Sequence, residues 1–505
     1  MTSFDIPSPR RHPFTLRAMS MLFAAGGLAM SLSGCIHNPP AVDGVQSTAP
    51  TPHDFWKPPA SVLRQDTAPH PAATPPIVPV DLESRIQQLT LTDVIDLALR
   101  NNPATRVSWA QARSTAALYG VEQSAYYPAL TLTGTYGTSK SITANSRVPG
   151  PRTQYGPTLS LSYLLLDFGG RSGHVSAARQ AVFAANLTHN ATVQDVVLQV
   201  ASAYFTYMST KALLNAQQST VQEATANVQA AEQRHQVGLA TIADELQAKT
   251  ALAQAQLTLE TTQGNLQAAR GALAVAMGLP ANAPYDIEPE PNPVPVQNLA
   301  ESVDSLIARA VRNRPDLEAA RAQVQQSLAQ IRVSKAAELP SLIVTGNMGQ
   351  TYSNISAFQG NNYSVQLGLS FPLFTGFSHT YDVMSAEADA EAAQSKAAGL
   401  AQQVVNQVFT SYYALQTATQ RVKTSDVLLA SAEQSEQVAR GRYTEGVGSI
   451  LDLLTAQSAL ADARAQQVQA RWVWYTALAQ LAHDSGILGL HGEAPLPFSS
   501  DSTDR

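Results

Sequence analysis

The chain has 505 residues, 44% of them apolar but only 7% aromatic, and a net charge of −6 with acids and bases interspersed. Length alone allows three ordinary domains, yet an alanine-rich, aromatic-poor composition suits close helix packing better than a bulky globular core. An acidic balance without a basic stripe argues against a nucleic-acid partner.

Residues 1–18 carry Arg10, Arg11 and Arg17 against one acid, Asp5, and an apolar stretch from Met19 leads into Leu32-Ser33-Gly34-Cys35. A basic start, a short apolar run and small residues describe a secretory signal; a membrane-spanning helix needs about 20 apolar residues. Cys35 is the only cysteine in the sequence. The tetrapeptide resembles the lipobox of bacterial lipoproteins, in which the cysteine becomes the lipidated N-terminus. Ordinary signal cleavage beside an incidental cysteine is the alternative. Ile36 follows it rather than an aspartate, which by analogy favours sorting to the outer membrane. Multiple acyl chains, at about 0.8 kcal/mol per buried methylene, would hold firmly in outer-membrane lipid. Residues 39–80 then contain 11 prolines without helical or strand period, as in an extended tether.

Beyond the tether the chain repeats itself. The stretches 158–279 and 373–494 contain none of the 30 prolines. Arg234, Gly238, Asp244, Ala248 and Leu252 recur 208 residues later as Arg442, Gly446, Asp452, Ala456 and Leu460. Upstream the offset is 212, matching Pro103 to Pro315 and Pro128 to Pro340, so four residues are lost between Pro340 and Leu369. One long unit is written twice. The resulting division is a signal peptide 1–34, a lipidated N-terminus and tether 35–87, a first repeat 88–280, a linker 281–299, a second repeat 300–487 and a tail 488–505.

Each copy reads in the same order. A short helix near 91–101, or 302–313, ends before Asn101-Asn102-Pro103 or Asn313-Arg314-Pro315, and a second helix starts at the proline. Two segments of period 2 follow. Leu130, Leu132, Gly134 and Tyr136 alternate with threonines, and Leu159, Leu161, Tyr163 and Leu165 alternate with serines. In the second copy Tyr363, Val365, Leu367, Leu369 and Phe371 alternate with Ser364, Gln366, Gly368 and Ser370. Such alternation alone favours a half-buried soluble strand over a tilted membrane strand; its pairing with an exported, lipidated chain reverses that preference. Next, Val193, Val200, Tyr207, Leu214, Val221 and Val228 recur at sevens over 170–236, with Val197 and Tyr204 beside them. Their counterparts are Ala401, Val408, Leu415, Val422 and Leu429, with Val405 and Tyr412. Sevenfold spacing predicts a coiled-coil seam along a helix of about 66 residues, roughly 100 Å long. A return helix runs to about Met277 or His483. No sequence-local partner covers both flanks of such a hairpin, and four strands close no barrel. Either the strands are not in a membrane, or several chains pool them, and the second option makes oligomerisation a physical requirement.

This layout resembles the TolC/OprM-type outer-membrane efflux proteins over about residues 88–487. The likeness rests on the doubling, on the run Leu161 to Gly170 entering the long helix, and on the turns Arg234 to Thr241 and Arg442 to Ser449. It implies a fold that is mainly α with a small membrane β-barrel: a homotrimer whose long hairpins form an α-barrel joined to a barrel of twelve strands, four per chain. It further implies an inner-membrane pump and a periplasmic adaptor (membrane fusion) protein as partners. At the hairpin tips Gly238, Gly446 and Gly448 suit a reversal by permitting positive φ. Thr241 and Ser449 can cap the returning helices with Asp244 and Asp452 three residues on. In the family these tips also meet the adaptor, and Arg234, Gly238, Thr241, Arg442, Gly446 and Ser449 are the candidates here. Asp452 matches an acidic position of the family's periplasmic aperture, where a ring of like charges attracts cations. The family's second acid often lies three residues later, where this chain has Thr455, which weakens the ring.

No chemistry of catalysis emerges. Asp167-Phe168-Gly169 resembles a kinase metal-binding triplet, but without a phosphate loop upstream, and it aligns with Thr375-Gly376-Phe377 as a turn. The ten histidines show no paired ligand spacing. No enzyme, metal or cofactor is expected. The expected function is a passive exit duct for small toxic solutes; a duct for one-step protein secretion and a pore-free periplasmic tether are the alternatives.

Overall fold

The computed structural model describes residue 86 and residues 88–140, 150–287 and 301–488. The signal sequence, Cys35, the tether, most of the linker and the tail lie outside the described residues.

In the first repeat, α1 (Leu91–Asn101) starts at a capping box in which Thr90 and Asp93 satisfy each other's backbone N–H groups. Asn102 then caps α2 (Pro103–Ser124), its Oδ1 accepting from the Ala104 N–H at 2.8 Å, with Pro103 fixing φ at the first turn. Strands β1 (Ala129–Ser139) and β2 (Arg152–Leu166) follow, then α3 (Gly170–Gln236) and α4 (Ile242–Ala276). The second repeat has α5 (Val303–Asn313), α6 (Pro315–Ala336), β3 (Ser341–Ser353), β4 (Gly360–Ser370), α7 (Ser378–Thr444) and α8 (Ile450–Asp484). Both long helices have 67 residues and both return helices 35.

The kinase-like triplet is the strand-to-helix turn. Phe168 and Gly169 have φ of 51° and 108°, while Gly376 and Phe377 have 65° and 67°. The same two positions are left-handed in both copies, with glycine and phenylalanine exchanged. In the first copy Arg171 fastens the turn by donating to the Leu164 and Leu165 carbonyls.

The strands form one antiparallel sheet in the order β1-β2-β3-β4, which is not closed. The pairing Leu161↔Gly346 between β2 and β3 joins the two repeats. Register keeps side-chain parity across all four strands, so Leu132, Tyr136, Leu159, Leu161, Val344, Met348, Val365 and Leu367 share one face. Thr133, Ser160, Asn347 and Ser364 share the other.

Apolar clusters hold the helices. Leu97, Tyr204, Leu273 and Met277 centre one at the first repeat, and Leu306, Val408, Leu415 and Trp474 its counterpart. Burying each such side chain contributes about 1.5–3 kcal/mol. A third cluster joins both hairpin tips through Val228, Ala231, Ala248, Tyr443, Ile450 and Leu453. The sevenfold seam of α7 departs from expectation at one position. Val405 is 38% exposed, and the row alternating with Val408, Leu415 and Val422 is Val404, Ser411, Ala418, Ser425 and Ala432. Small residues there let α8 approach closely, and Val405 is turned to a different face of the helix.

Candidate functional site

The free ends of the two hairpins lie side by side. Gly238 and Gly446, with φ of 76° and 75°, reverse the chain, and the Leu239 and Val447 N–H groups donate back to the Arg234 and Arg442 carbonyls at 2.7 and 2.9 Å. Gly448 does not share the positive φ expected of it. A Cβ there would lie 3.0 Å from Arg442 Cβ, so its glycine serves close approach. Thr241 and Ser449 each complete a capping box, with Asp244 and Asp452. Asp452 is exposed on the first turn of α8, and its Oδ2 accepts from the Ser449 N–H at 3.4 Å. Its carboxylate therefore serves the cap whatever else it does.

Arg234 and Arg442, equivalent by repeat, are placed differently. Arg442 is exposed. Arg234 is half-buried: its Nη1 donates to the Tyr443 carbonyl at 2.9 Å, and its guanidinium carbon stands 4.7 Å from the Tyr443 ring centre. Burial raises the Tyr443 hydroxyl above its ordinary pKa, and that hydroxyl has no hydrogen-bond partner. Two further links join the hairpins. Arg464 meets Glu223 at 3.1 Å, and Asn227 donates to Gln457, which donates in turn to Glu436. Within the first hairpin Lys249 bridges Glu232 and Glu245 at 2.9 and 2.6 Å, and its hydrogen bond lowers the Glu245 pKa. Apolar side chains crown both tips: Val237, Leu239, Val447 and Leu451 are exposed.

Nearer the sheet, His483 of α8 lies between Asp484, 3.0 Å from Nδ1, and Asp195 of α3, 2.9 Å from Nε2. Burial alone would depress the imidazole, but both hydrogen bonds outweigh it and raise its pKa. Asp286, held by Lys211 at 2.7 Å and Tyr207 at 3.0 Å, ties the end of the first repeat back to α3. Burial pushes Tyr207 up to about 12.

Among the described residues nothing covers the sheet's apolar face: Leu132, Tyr136, Tyr363 and Val365 are strongly exposed. Tyr136, Tyr155 and Tyr352 form a row across three strands at the end far from the helices, with ring centres 6.4 and 5.3 Å apart. Phe374 and Phe377 stand at the opposite end. Aliphatic side chains between two aromatic rims are the pattern of a sheet facing hydrocarbon. Its other face carries hydroxyls and amides.

A sheet of this kind continuous with hairpins built on 67-residue helices matches known proteins. Residues 94–279 and 306–486 match the Outer membrane efflux protein family, once per repeat. The chain belongs to that family. It is similar to Protein CyaE of Bordetella pertussis, 28% identical over 76% of this chain and 81% of that protein. Similarity to the probable efflux pump outer membrane protein TtgC of Pseudomonas putida is 24%, over 74% and 78%. The fold is shared with the outer membrane protein VceC of Vibrio cholerae at a TM-score of 0.70, 22% identity, and coverage of 78% and 96%. As an outer membrane efflux protein, the chain is a transport channel component of the outer membrane and not an enzyme.

Proposed function

We propose that three copies of this chain close one water-filled duct across the outer membrane and periplasm. An inner-membrane pump, through a periplasmic adaptor, would expel drugs and other small toxic solutes along it. In this reading residues 1–34 are removed, Cys35 is lipidated, and residues 35–87 tether the chain to outer-membrane lipid. Repeat 1 is 88–280 and repeat 2 is 300–487, joined by the linker 281–299 and followed by the tail 488–505. The long helices reach into the periplasm.

The observation that carries the proposal is a set of surfaces that one repeat covers and the other leaves bare. On α3, Val197, Ala201 and Phe205 are buried, Phe205 stacking on Tyr475 of α8 at 5.5 Å. Their counterparts on α7, Val405, Phe409 and Tyr413, are exposed. Likewise α6 packs against both long helices, whereas α2 packs on α3 and leaves Val107, Leu118 and Val121 exposed. Among the described residues the outer edges of β1 and β4 are unpaired. One operation relieves all three: a second copy set against repeat 2 as repeat 2 is set against repeat 1. Repeating that operation around an axis gives a closed ring, and closure removes every edge.

This operation fixes a register. Shifting the β2–β3 pairing of Leu161 with Gly346 by the repeat offsets pairs Leu369 of one chain with Gly134 of the next, and Ser370 with Thr133. Tyr381 stands where α3 has Gly173, so the junction between chains keeps the internal arrangement of elements but packs different side chains beside the long helix. Directly opposed residues bring Cβ atoms within about 5 Å. Oxidising Thr133→Cys with Ser370→Cys in processed, membrane-inserted protein should give covalent trimers, whereas either variant alone should not. A folded, processed protein that stays monomeric in detergent would refute the proposal. Single-channel conductance separates duct from tether, and a knockout's drug susceptibility against its secreted proteins separates efflux from protein secretion.

For the tips, Arg442, Gly238, Gly446, Thr241 and Ser449, with the exposed Val237, Leu239, Val447 and Leu451, are proposed to receive the adaptor. Arg234 is proposed to act there by fixing the angle between the two hairpins. Asp452 is proposed to line the periplasmic entrance.

A further inference from the structure

Arg152 is the only charged residue in the four strands. More widely, residues 126–166 and 339–381 contain no aspartate or glutamate. Within β2, Arg152 has the parity of Gln154, Thr158, Ser160 and Ser162, opposite to Tyr155, Leu159 and Leu161, which puts it on the polar face. It lies at the end of the sheet far from the helices, paired with Ser139. Its guanidinium carbon is 4.1 Å from the ring centre of Phe358, on the connection between β3 and β4. Its Nε is buried without a hydrogen-bond partner, and among the described residues no carboxylate reaches it. A cation–π contact orients such a group without neutralising its charge.

We propose that three copies of Arg152 form a ring of fixed positive charge at the outer mouth of the duct, so that the exit favours anions and anionic solutes over cations. The ring exists only if three chains close the barrel, so it rests on the trimer proposed above. The rest of the strands' polar face, with Thr133, Thr135, Ser160, Asn347 and Ser364, is uncharged, and Lys140, one residue past β1, carries the same sign as Arg152. Three charges about 10 Å from the axis raise the local anion concentration and lower that of cations. Coulomb's law with ionic screening gives a preference for chloride over potassium of about threefold at 0.15 M salt and more than about tenfold at 0.01 M. Asp452, at the other end of the duct, carries the opposite sign.

The test is the reversal potential of full-length, processed protein in planar bilayers under a potassium chloride gradient. Wild-type pores should prefer chloride, by a ratio that rises as salt is lowered and vanishes near 1 M. Arg152→Gln should lower the ratio about threefold at 0.15 M, Arg152→Glu should carry it further towards potassium, and Arg152→Lys should keep it. Asp452→Asn should move it the other way. Conducting Arg152→Gln pores with the wild-type reversal potential at low salt would overturn the ring while leaving the duct standing. A wild-type preference insensitive to salt would do the same without any variant. Wild-type protein that forms no pores would sink the duct itself.

Discussion

Truncating Arg234 to alanine unties the two hairpin tips at the point where they touch most closely. The side chain makes one charge-assisted hydrogen bond, to the Tyr443 carbonyl at 2.9 Å, and one face contact with the Tyr443 ring at 4.7 Å. A hydrogen bond to a charged group contributes about 1.5–3 kcal/mol and a partly hydrated cation–π contact about 0.5–1. Arg234 is half-buried, so water recovers part of both, leaving roughly 2 kcal/mol per chain, or about a thirtyfold shift in a local equilibrium. The apolar contacts of Val228, Ala231 and Ile450 stay, so folding survives while the angle between hairpins loosens. In single-channel recordings Arg234→Ala should spend more time at larger conductance, and Arg234→Lys should fall between it and the wild type. Tyr443→Phe is the control: its buried hydroxyl makes no hydrogen bond, so removing it should leave conductance unchanged and slightly raise thermal stability. An Arg234→Ala conductance distribution identical to wild type would refute the staple, as would a Tyr443→Phe effect of equal size.

Three other perturbations test neighbouring claims. Asp452→Asn keeps an acceptor for the Ser449 N–H but removes the charge, so divalent-cation block in planar bilayers should weaken while the melting temperature holds; Asp452→Ala should weaken the block and also lower stability by about 1 kcal/mol. His483 is raised in the folded state, so its bridge from Asp484 to Asp195 is fully present below its unfolded value and lost as pH rises through the folded one. Hydrogen-exchange protection around Asp195, after division by the base-catalysed intrinsic rate, should accordingly be greater at pH 5.5 than at pH 8.5, and His483→Gln should abolish the difference in protection. At the acid end Asp484, whose pKa is lowered, withdraws its contribution as pH falls through that low value. Gly448→Ala sets a Cβ 3.0 Å from Arg442 Cβ and 3.2 Å from backbone, so it should destabilise the second tip and speed proteolysis there, whereas the same change at Gly120, inside α2 with nothing within 4 Å, should leave the tip unchanged and slightly stabilise its helix.

The helical layout was legible because its signals are local. Prolines 103 and 315 mark helix starts, the glycines at 238 and 446 mark reversals, and long runs without proline leave no other stop. The strands were legible from period 2, most clearly Tyr363 to Phe371. The partners of particular side chains were not. Arg234 and Arg442 occupy equivalent sequence positions, yet only Arg234 faces the other hairpin, because a chain with two repeats has one internal junction and two outer flanks. The misplaced Val405 has the same origin. Its sevenfold spacing is real, but the face it marks matches the Val197 face of α3, which α8 covers and which α7 leaves bare. The exposed tip residues Val237 and Leu239 were visible as apolar neighbours of a turn glycine. Arg152 was not legible: alternation marks its strand only from Leu159, Lys140 and Arg147 stand in the same stretch, and its place at the start of β2, its polar-face parity and its seat on Phe358 needed the structure.

The repeats differ in length only where the duct tolerates it. Residues 140–151 connect β1 to β2 whereas 354–359 connect β3 to β4, yet the long and return helices agree to the residue. A surface connection between strands tolerates insertions. Hairpins that alternate around one ring must end together, since the cluster of Val228, Ala248, Tyr443 and Leu453 exists only if both tips reach the same height. Deleting seven residues from each arm of the first hairpin preserves its seam but withdraws its tip by about 10 Å. That protein should still trimerise through its sheet, while its entrance should gape and its conductance rise. Making the matched deletion in the second hairpin as well should restore the wild-type conductance, because the seam and the tip cluster would then be realigned. A doubly shortened protein that conducts like the singly shortened one would show that the tips do not govern the entrance.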